Sequence, residues 1–380
     1  MSRSFAPTTL MLGNFATGVS IIGPTGMLPE LAQGLDVSIR DASLLITFGA
    51  VMLCIGSPVT AWLTSRFDRR ALLTFAVLVL AVANLASAFA PNYAALLVIR
   101  LVMLAIGALF TPQAAGAAAL LVPPEKRGST ISYVFLGWSL AMAFGLPVVT
   151  YVAGYAGWRW AYGFLGVVAL AATLLLAWQL PRGLQGTPVD LKTWVGLARN
   201  PLIVVLLLIT TLQMSGQFIV MTFISPLLSL LTQARPDDIA LIFFIYGVTG
   251  FTGNIVASRI VDSFGAYRTS VLATSLLVCG IGGWALGAGS YAMMALGVCF
   301  WGLGFAASNS MQQVRLSAAA PAATGASVSL NTSVLYIGQA IGSAVGGMLY
   351  VRELYTAIGF VALGVIATAL MLVISTRRAP

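Results

Sequence analysis

The chain has 380 residues, of which 59% are hydrophobic and 8% are charged. Soluble domains carry about 25% charged residues, so the composition excludes an ordinary soluble protein and indicates one that lies within a membrane. Histidine is absent, which excludes imidazole bases and histidine-ligated metals. Neither lysine lies in a G-x-x-x-x-G-K-S/T loop, which excludes a P-loop ATPase, and three scattered cysteines form no disulfide framework or metal site. We therefore expect neither a cofactor nor a metal ion.

Apolar runs of about 20 residues or more follow one another along the chain, and each is long enough to cross a bilayer as an α-helix. We predict twelve spans, at 9–30, 42–63, 71–90, 94–121, 129–152, 159–180, 202–231, 239–260, 270–288, 291–313, 325–350 and 355–375. The first run continues past the length of a signal peptide without a cleavage-like site, so we expect no cleaved signal. The predicted fold class is an all-α membrane protein.

The basic residues are distributed unevenly between the two sets of loops. Twelve spans place both termini on one side, and the loops of that side carry most of the lysine and arginine. The other side carries Arg40, Arg159, Arg235 and Arg352. Because cytoplasmic loops are enriched in lysine and arginine, we predict cytoplasmic termini and a cytoplasmic (inner) membrane location. The net charge of +9 is then a topology signal, and we expect no nucleic-acid partner.

The longest connection, Pro181–Pro201, divides the chain into two parts of six spans each. It holds prolines, glycines and most of the mid-chain charge. We predict an N-terminal bundle at 1–182, a cytoplasmic linker at 183–200 and a C-terminal bundle at 201–380. Trp194 and Leu197 indicate a short interfacial helix within the linker.

One fixed shift of 226 − 29 = 197 residues superimposes the two parts. It pairs Pro29 with Pro226, Asp41 with Asp238, Gly56 with Gly253, Phe67 with Phe264, Gly107 with Gly304, Pro124 with Pro321, Gly128 with Gly325 and Gly145 with Gly342. A constant shift over this length predicts two six-helix bundles related by a parallel pseudo-twofold axis along the membrane normal. In such proteins the substrate site lies between the bundles near mid-membrane.

Arg100 is the one charge inside the fourth apolar run, and the shift pairs it with Gly297. A guanidinium at membrane depth is expensive and by default marks a transport pathway; the alternative is that it snorkels to the interface. It shares a helix face with Gly107 and Thr111. Glu30 is the acid at the end of the first span, and the 197-residue shift aligns it with Leu227. It is either a titrating group or a solvated residue at the outer mouth. We expect Arg100 to pair with Glu30 or with the substrate.

Neutral polar residues recur at helical spacing in the seventh, tenth and eleventh spans. Such groups must find partners in hydrocarbon, so they are either links between helices or substrate contacts. The candidates are Gln213, Gln217, Asn309, Gln312, Gln313, Asn331 and Tyr336. Small residues repeat along one face of the fifth and eleventh spans and predict close helix packing. These are Gly137, Gly145, Pro147, Gly338, Gly342 and Gly346.

The loops after the second and eighth spans carry dense charge at matching positions. They read AWLTSRFDRR (Ala61–Arg70) and SRIVDSFGAYR (Ser258–Arg268). Both are similar to the G-x-L-a-D-r-x-G-r-k signature of the major facilitator superfamily. The resemblance implies a cytoplasmic latch between the two bundles, at Arg66, Asp68, Arg69, Arg70, Asp262, Gly265 and Arg268. Each copy keeps only part of the signature. The alternative to a latch is that these basic residues only anchor the loops on the cytoplasmic side of the membrane.

Further motifs resemble the 12-span drug:proton antiporter subfamily, in its arabinose-efflux-permease-like branch. They are Gly26–Ala32, Arg100 with Gly107, Gly157-Trp158-Arg159 and Gln217–Pro226. The resemblance implies a secondary transporter that works by alternating access, with the substrate, protons and the lipid bilayer as partners. It favours proton-coupled efflux of a sugar, nucleoside or amphipathic drug by a monomer. An uptake symporter or facilitator is the alternative, whereas a membrane-embedded enzyme would need clustered catalytic groups that this sequence does not offer.

Overall fold

The computed structural model describes residues 5–64, 67–123, 127–184, 196–197, 199–320 and 324–377. The first part of the chain forms α1 (Ala6–Gly26), α2 (Leu28–Gly34), α3 (Ile39–Leu63), α4 (Arg69–Ala88), α5 (Tyr93–Gly107), α6 (Phe110–Leu120), α7 (Arg127–Leu140), a π-helical turn (Ala141–Gly145), α8 (Leu146–Ala156) and α9 (Trp158–Gln179). The second part forms α10 (Pro201–Met221), α11 (Ile224–Thr232), α12 (Pro236–Phe264), α13 (Ala266–Leu286), α14 (Tyr291–Ala319), α15 (Thr324–Val351) and α16 (Tyr355–Ser375). These described residues contain no strand.

Eleven stretches of the described chain are long and apolar enough to cross a membrane. Helix α1 falls outside that set because it carries several hydroxyl and amide groups, yet every residue from Ala16 to Gly26 is buried. Asn14 and Ser20 of this helix form hydrogen bonds with other protein groups, whereas the buried Thr17 hydroxyl has no partner among the described residues. With α1 as the first span, the helices match the twelve predicted spans in order. The predicted linker at 183–200 falls mostly on residues outside the described ranges.

Proline explains why four spans are broken into two segments. Proline has no N–H and clashes with the carbonyl four residues earlier, which ends the preceding helix. The second segment of each broken span begins at or just before a proline: Pro29 in α2, Pro112 in α6, Pro147 in α8 and Pro226 in α11. Pro29 and Pro226 are partners under the 197-residue shift, so the first span of each part is broken at the same place.

The helices pack as two six-span bundles, here called the first half (α1–α9) and the second half (α10–α16). We call the side of the molecule where α1 begins and α16 ends the terminal side, and the opposite side the far side. The halves meet where α3 lies against α15 and where α8 lies against α12. Between α3 and α15, the Thr47 hydroxyl donates to the Ser343 hydroxyl over 2.8 Å.

The glycines of α15 allow its backbone to approach α10 closely. A Cβ atom at Gly338, Gly342 or Gly346 would lie between 2.3 and 2.5 Å from a carbonyl oxygen of α10. In the first half, a Cβ at Gly137 would lie 2.2 Å from the carbonyl oxygen of Met11. Helices α1 and α7, and α10 and α15, are thus fixed against each other by contacts that admit no side chain.

Candidate functional site

Arg100 lies in the interior of the first half, where its side chain is 2% exposed. Its Nε donates to the carbonyl of Leu45 in α3 over 3.1 Å. Its Nη1 donates to the carbonyl of Ser20 over 3.1 Å and its Nη2 to that of Ile21 over 2.5 Å, both in α1. The guanidinium therefore does not snorkel to the interface. It joins α1, α3 and α5 through backbone acceptors, and it shares no ion pair with Glu30 in the described structure.

One of the two acceptors on α1, the Ser20 carbonyl, is available because of Pro24, which lies inside that helix. The nitrogen of residue 24 would normally donate to the Ser20 carbonyl, and proline has no hydrogen to donate. A buried carbonyl without a donor is costly, and Arg100 supplies the missing donor. Helix α1 consequently continues through Pro24 as far as Gly26, although the prolines of the four broken spans interrupt theirs.

Two further polar side chains surround this junction. Asn84 of α4 donates from Nδ2 to the Ser20 hydroxyl over 2.8 Å. The Tyr162 hydroxyl of α9 lies beside the guanidinium of Arg100 without the geometry of a hydrogen bond. Five helices of the first half thus converge on Arg100, and the sequence predicted neither Asn84 nor Ser20. A proline four residues after Ser20 was the signal that could have identified the acceptor.

Glu30 lies in the short helix α2, near the far side. Its side chain is partly buried, and one of its carboxylate oxygens is enclosed without a hydrogen-bond partner. Helix α2 lies against α9 and also against α11, which belongs to the second half. The carboxylate is therefore carried by a segment that touches both halves.

Thr111 and Gly107 belong to different contacts, because the break before α6 separates them. The Thr111 hydroxyl donates to Oδ1 of Asn14 over 2.9 Å and accepts from Nε1 of Trp138 over 3.2 Å. These bonds join α6 to α1 and α7. A Cβ at Gly107 would instead lie 3.1 Å from Leu80 of α4.

The amides of α10 form a buried chain of hydrogen bonds in the second half. Gln213 donates from Nε2 to the Thr274 hydroxyl of α13 over 2.8 Å. Gln217 donates from Nε2 to the Gln213 carbonyl over 3.0 Å and accepts from Nε1 of Trp301 in α14 over 2.9 Å. Trp301 in turn packs edge-to-face on Tyr246 of α12. This chain links four helices of the second half.

Asn309 and Asn331 join α14 to α15 near the terminal side. Nδ2 of Asn331 lies 3.4 Å from Oδ1 of Asn309, and its Oδ1 accepts from the Thr210 hydroxyl over 2.7 Å. Gln312 is fully buried, and neither polar atom of its side chain has a partner. Gln313 is half-buried, and Tyr336 is 8% exposed. The predicted polar residues of the second half therefore share one region with the α10 chain.

A family model described as Major Facilitator Superfamily matches residues 10–233 and 206–380. The chain belongs to the major facilitator superfamily. It is 29% identical to the inner membrane transport protein YdhP of Escherichia coli (strain K12), over 100% of this chain and 98% of that protein. It is also 29% identical to the uncharacterized transporter YtbD of Bacillus subtilis (strain 168), over 68% of this chain and 66% of that protein.

Solved structures of this superfamily share the fold. A D-xylose-proton symporter superimposes with a TM-score of 0.77 at 18% identity, over 96% of this chain and 97% of the symporter. A bacterial homologue of the lysosomal transporter Spinster gives 0.79 at 15% identity, over 100% of this chain and 97% of its own. The predicted fold class is confirmed, and the chain is a multi-pass membrane transporter and not an enzyme.

The far side of this superfamily member carries polar contacts between the halves that the sequence did not predict. The Tyr155 hydroxyl at the end of α8 donates to Asp237 at the start of α12. Within the second half, Nη2 of Arg235 lies 4.0 Å from Oδ2 of Asp237, and its Nε lies 4.0 Å from Oδ2 of Asp238. Next to them, a Cβ on Gly154 would lie 2.4 Å from Pro236. Together with the Thr47–Ser343 bond, these contacts join the halves on both flanks.

The superfamily signature on the terminal side makes its bonds within one half. Asp68 caps α4 by accepting from the backbone N–H of Arg70 over 2.7 Å and from that of Gly183 over 2.6 Å. Arg70 donates to the Ala177 carbonyl of α9. Partial burial of Asp68 works against its ionisation, but these N–H groups and the charge of Arg70 outweigh it and hold the pKa of the carboxyl below its usual value.

The rest of the predicted latch is only partly described. The buried Arg69 donates from its backbone to the Leu184 carbonyl over 2.9 Å. Gly265 begins α13 with a φ of 80°, a left-handed value that favours glycine, and Arg268 is exposed. Arg66 and the side chain of Asp262 lie outside the described residues. A latch between the halves remains a prediction.

Proposed function

We propose that this protein is a secondary active transporter that exports a small organic molecule in exchange for protons by alternating access. The observation that carries the proposal is that the hydrogen bonds between the halves found among the described residues lie toward the far side. Thr47–Ser343 and Tyr155–Asp237 join the halves toward the far side, whereas Asp68 and Arg70 bond within the first half. Two bundles held together at one end suit a rocking exchange of access between the two membrane faces.

The polarity of the loops supports the proposed direction. Basic loops on the terminal side favour cytoplasmic termini, so the far side would face outward in the cytoplasmic membrane. The structure would then correspond to a state closed to the outside. The partial motifs of the drug:proton antiporter subfamily favour efflux, and the proposed unit is a monomer with a bundle at 1–182, a linker at 183–200 and a bundle at 201–380.

Glu30 is the proposed proton carrier. It is the acid of the first span, and a segment that contacts both halves holds it with one enclosed, unpartnered carboxylate oxygen. A carboxylate so placed gains or loses its hydration when the halves move, which couples protonation to the change of state. Arg100 is bound to three carbonyls and is not free to release a proton.

Transport assays in proteoliposomes test this proposal. Purified protein would be assayed with radiolabelled sugars, nucleosides and amphipathic drugs, with and without an imposed proton gradient. We expect gradient-driven accumulation by the wild type and its loss in Glu30→Gln, with substrate exchange at equilibrium retained. Glu353→Gln is the matched control, because Glu353 is an exposed acid in a far-side loop. Accumulation that ignores the gradient would instead favour a facilitator.

A further inference from the structure

Charged residues are almost absent from the middle of the described helices. Apart from Arg100, every charged residue in these helices lies within five residues of a helix end. Their side chains can therefore reach loops, lipid headgroups or water. Arg100 is the one cation placed deeper in a span, and its three donor nitrogens all bind backbone carbonyls. These bonds use three of the five N–H groups of the guanidinium. The side chain is enclosed among helices of the first half at 2% exposure, so it is closed to an anionic substrate in this state.

Arg315 is the other fully buried cation among the described residues, but it faces away from the first half. Its Nη2 donates to the Thr376 hydroxyl over 2.7 Å, and its guanidinium lies over the Tyr267 ring at 5.8 Å. Tyr267 belongs to α13 and Thr376 follows α16. Its Nε and Nη1 are enclosed and have no hydrogen-bond partner in the part of the chain that the structure describes. Because its contacts lie on α13 and beyond the end of α16, Arg315 faces the terminal-side end of the second half and not the region between the halves.

Neutral amide side chains of α14 face the region between the two halves. Asn309 bonds Asn331 of α15, and Ser310 bonds Asn254 of α12 over 2.7 Å. At 100° per residue, Gln313 projects between the directions of Asn309 and Ser310. It therefore faces the gap between α15 and α12, the two helices that make the most extensive contacts with the first half. Gln313 is half-buried, and no hydrogen bond of its side chain is found within the described part of the chain.

We propose that the transported molecule carries no net charge and is bound by hydrogen bonds to the neutral amides of Asn309 and Gln313. A charged molecule would leave water for a place where the neighbouring side chains, Asn254, Asn309 and Asn331, are neutral, which is strongly unfavourable. The acid Glu30 lies toward the far side, whereas these amides lie toward the terminal side. An uncharged molecule with hydroxyl or amide groups matches donors and acceptors that are already present. This inference rests on the proposed transport function and narrows its substrates to polyols, uncharged nucleosides and similar molecules.

Ligand-induced stabilisation tests the inference without requiring transport. A small-molecule extract of cells would be separated by ion exchange into cationic, anionic and neutral pools, which are then adjusted to one ionic strength. Each pool would be added to the full chain in lipid nanodiscs, and the Tm would be measured. We expect the neutral pool to raise the Tm and the charged pools to leave it unchanged. Stabilisation by a charged pool, or by none of the three, would overturn the inference.

Variants at Gln313 test the assigned site. Gln313→Leu removes one hydrogen-bonding group, so we expect the neutral pool to stabilise it with an apparent affinity about fivefold weaker. Gln179→Leu is the matched control, because Gln179 is also half-buried but lies at the end of α9. An unchanged affinity in Gln313→Leu would overturn the site. Failure of the proton coupling is distinguishable, since it would abolish gradient-driven accumulation and leave the Tm shifts intact.

Discussion

Nη1 of Arg100 lies 3.1 Å from the carbonyl oxygen of Ser20, the acceptor that Pro24 leaves without a helical donor. Under the 197-residue shift, Pro24 corresponds to Met221 and Arg100 to Gly297. The second half thus has neither the proline nor the cation. The charge asymmetry between the halves follows from the proline asymmetry, because the arginine completes the hydrogen bonding of a helix that only the first half interrupts.

Arg100→Leu should lower the free energy of unfolding by about 3 kcal/mol, because buried carbonyls lose charged donors. Arg100→Lys should lie between the wild type and Arg100→Leu, since an ammonium cannot reproduce the planar fork of a guanidinium. Pro24→Ala restores an N–H for Ser20, so we expect it to recover about 1 kcal/mol in the Arg100→Leu background. SDS titration of the purified protein measures these differences. Strictly additive effects of the two substitutions would contradict the link between them.

Tyr155→Phe should favour opening of the far side, because it removes the hydroxyl that reaches Asp237. An exposed hydrogen bond of this kind contributes about 1 kcal/mol, so the population of the open state should rise about fivefold. Distances between labels on the ends of α8 and α12 report that population. Tyr151→Phe is the control, since the Tyr151 ring packs beside Tyr155 at 4.8 Å. An equal rise of the open-state population in both variants would show that the Tyr155–Asp237 hydrogen bond does not hold the far side closed.

Gly342→Ala should destabilise the second half, because its Cβ would lie 2.3 Å from the Ser215 carbonyl oxygen. Overpacking of this kind costs about 1–3 kcal/mol. Gly364→Ala in α16 meets nothing within 4 Å and should be neutral or stabilising by up to ~1 kcal/mol through helix propensity. Thermal unfolding in detergent compares the two. A similar loss in both would show that close approach to α10 is not the cause.

Asp68→Ala removes the cap of α4 and should lower the free energy of unfolding at neutral pH by about 1 kcal/mol. The pKa of Asp68 in the folded state lies below the usual 3.8, so its contribution is present above the unfolded-state pKa and is lost as the pH falls through the folded-state value. The stability gap between variant and wild type should therefore shrink in acid. A gap that widens below pH 4 would contradict this assignment.

Hydropathy and the internal repeat predicted the spans and the pairing of the two halves, because both depend on local composition and order along the chain. Helix α1 shows that composition alone does not identify every span. Its hydroxyl and amide groups lower its hydropathy, yet the helix is buried among other helices of the protein. The superfamily signature likewise identified Asp68 and Arg70. Their hydrogen bonds to Ala177 and Gly183 could not be predicted, because they depend on where the end of α9 and the residues after it lie in the folded protein.

The contacts of the site residues could not be predicted in the same way. That Gln217 accepts from Trp301 and that Thr111 meets Asn14 depends on the rotation of each helix about its axis, which the packing of several neighbours sets together. Tyr155 and Asp237 belong to different halves, so their contact depends on how the two halves pack against each other. For Arg100 the sequence offers a partial clue, because Pro24 leaves the carbonyl of Ser20 without its helical donor, but it does not identify Arg100 as the group that replaces that donor.

The broken spans are distributed unequally between the two halves, which has a consequence for the proposed transport cycle. The prolines at 29, 112 and 147 divide three spans of the first half, while Pro226 divides one span of the second. Helices α12, α14 and α15 run unbroken for 28 or 29 residues each. We therefore expect the second half to be the more rigid of the two and the first half to bend at its proline breaks. In the proposed cycle, most of the change in shape would then occur within the first half.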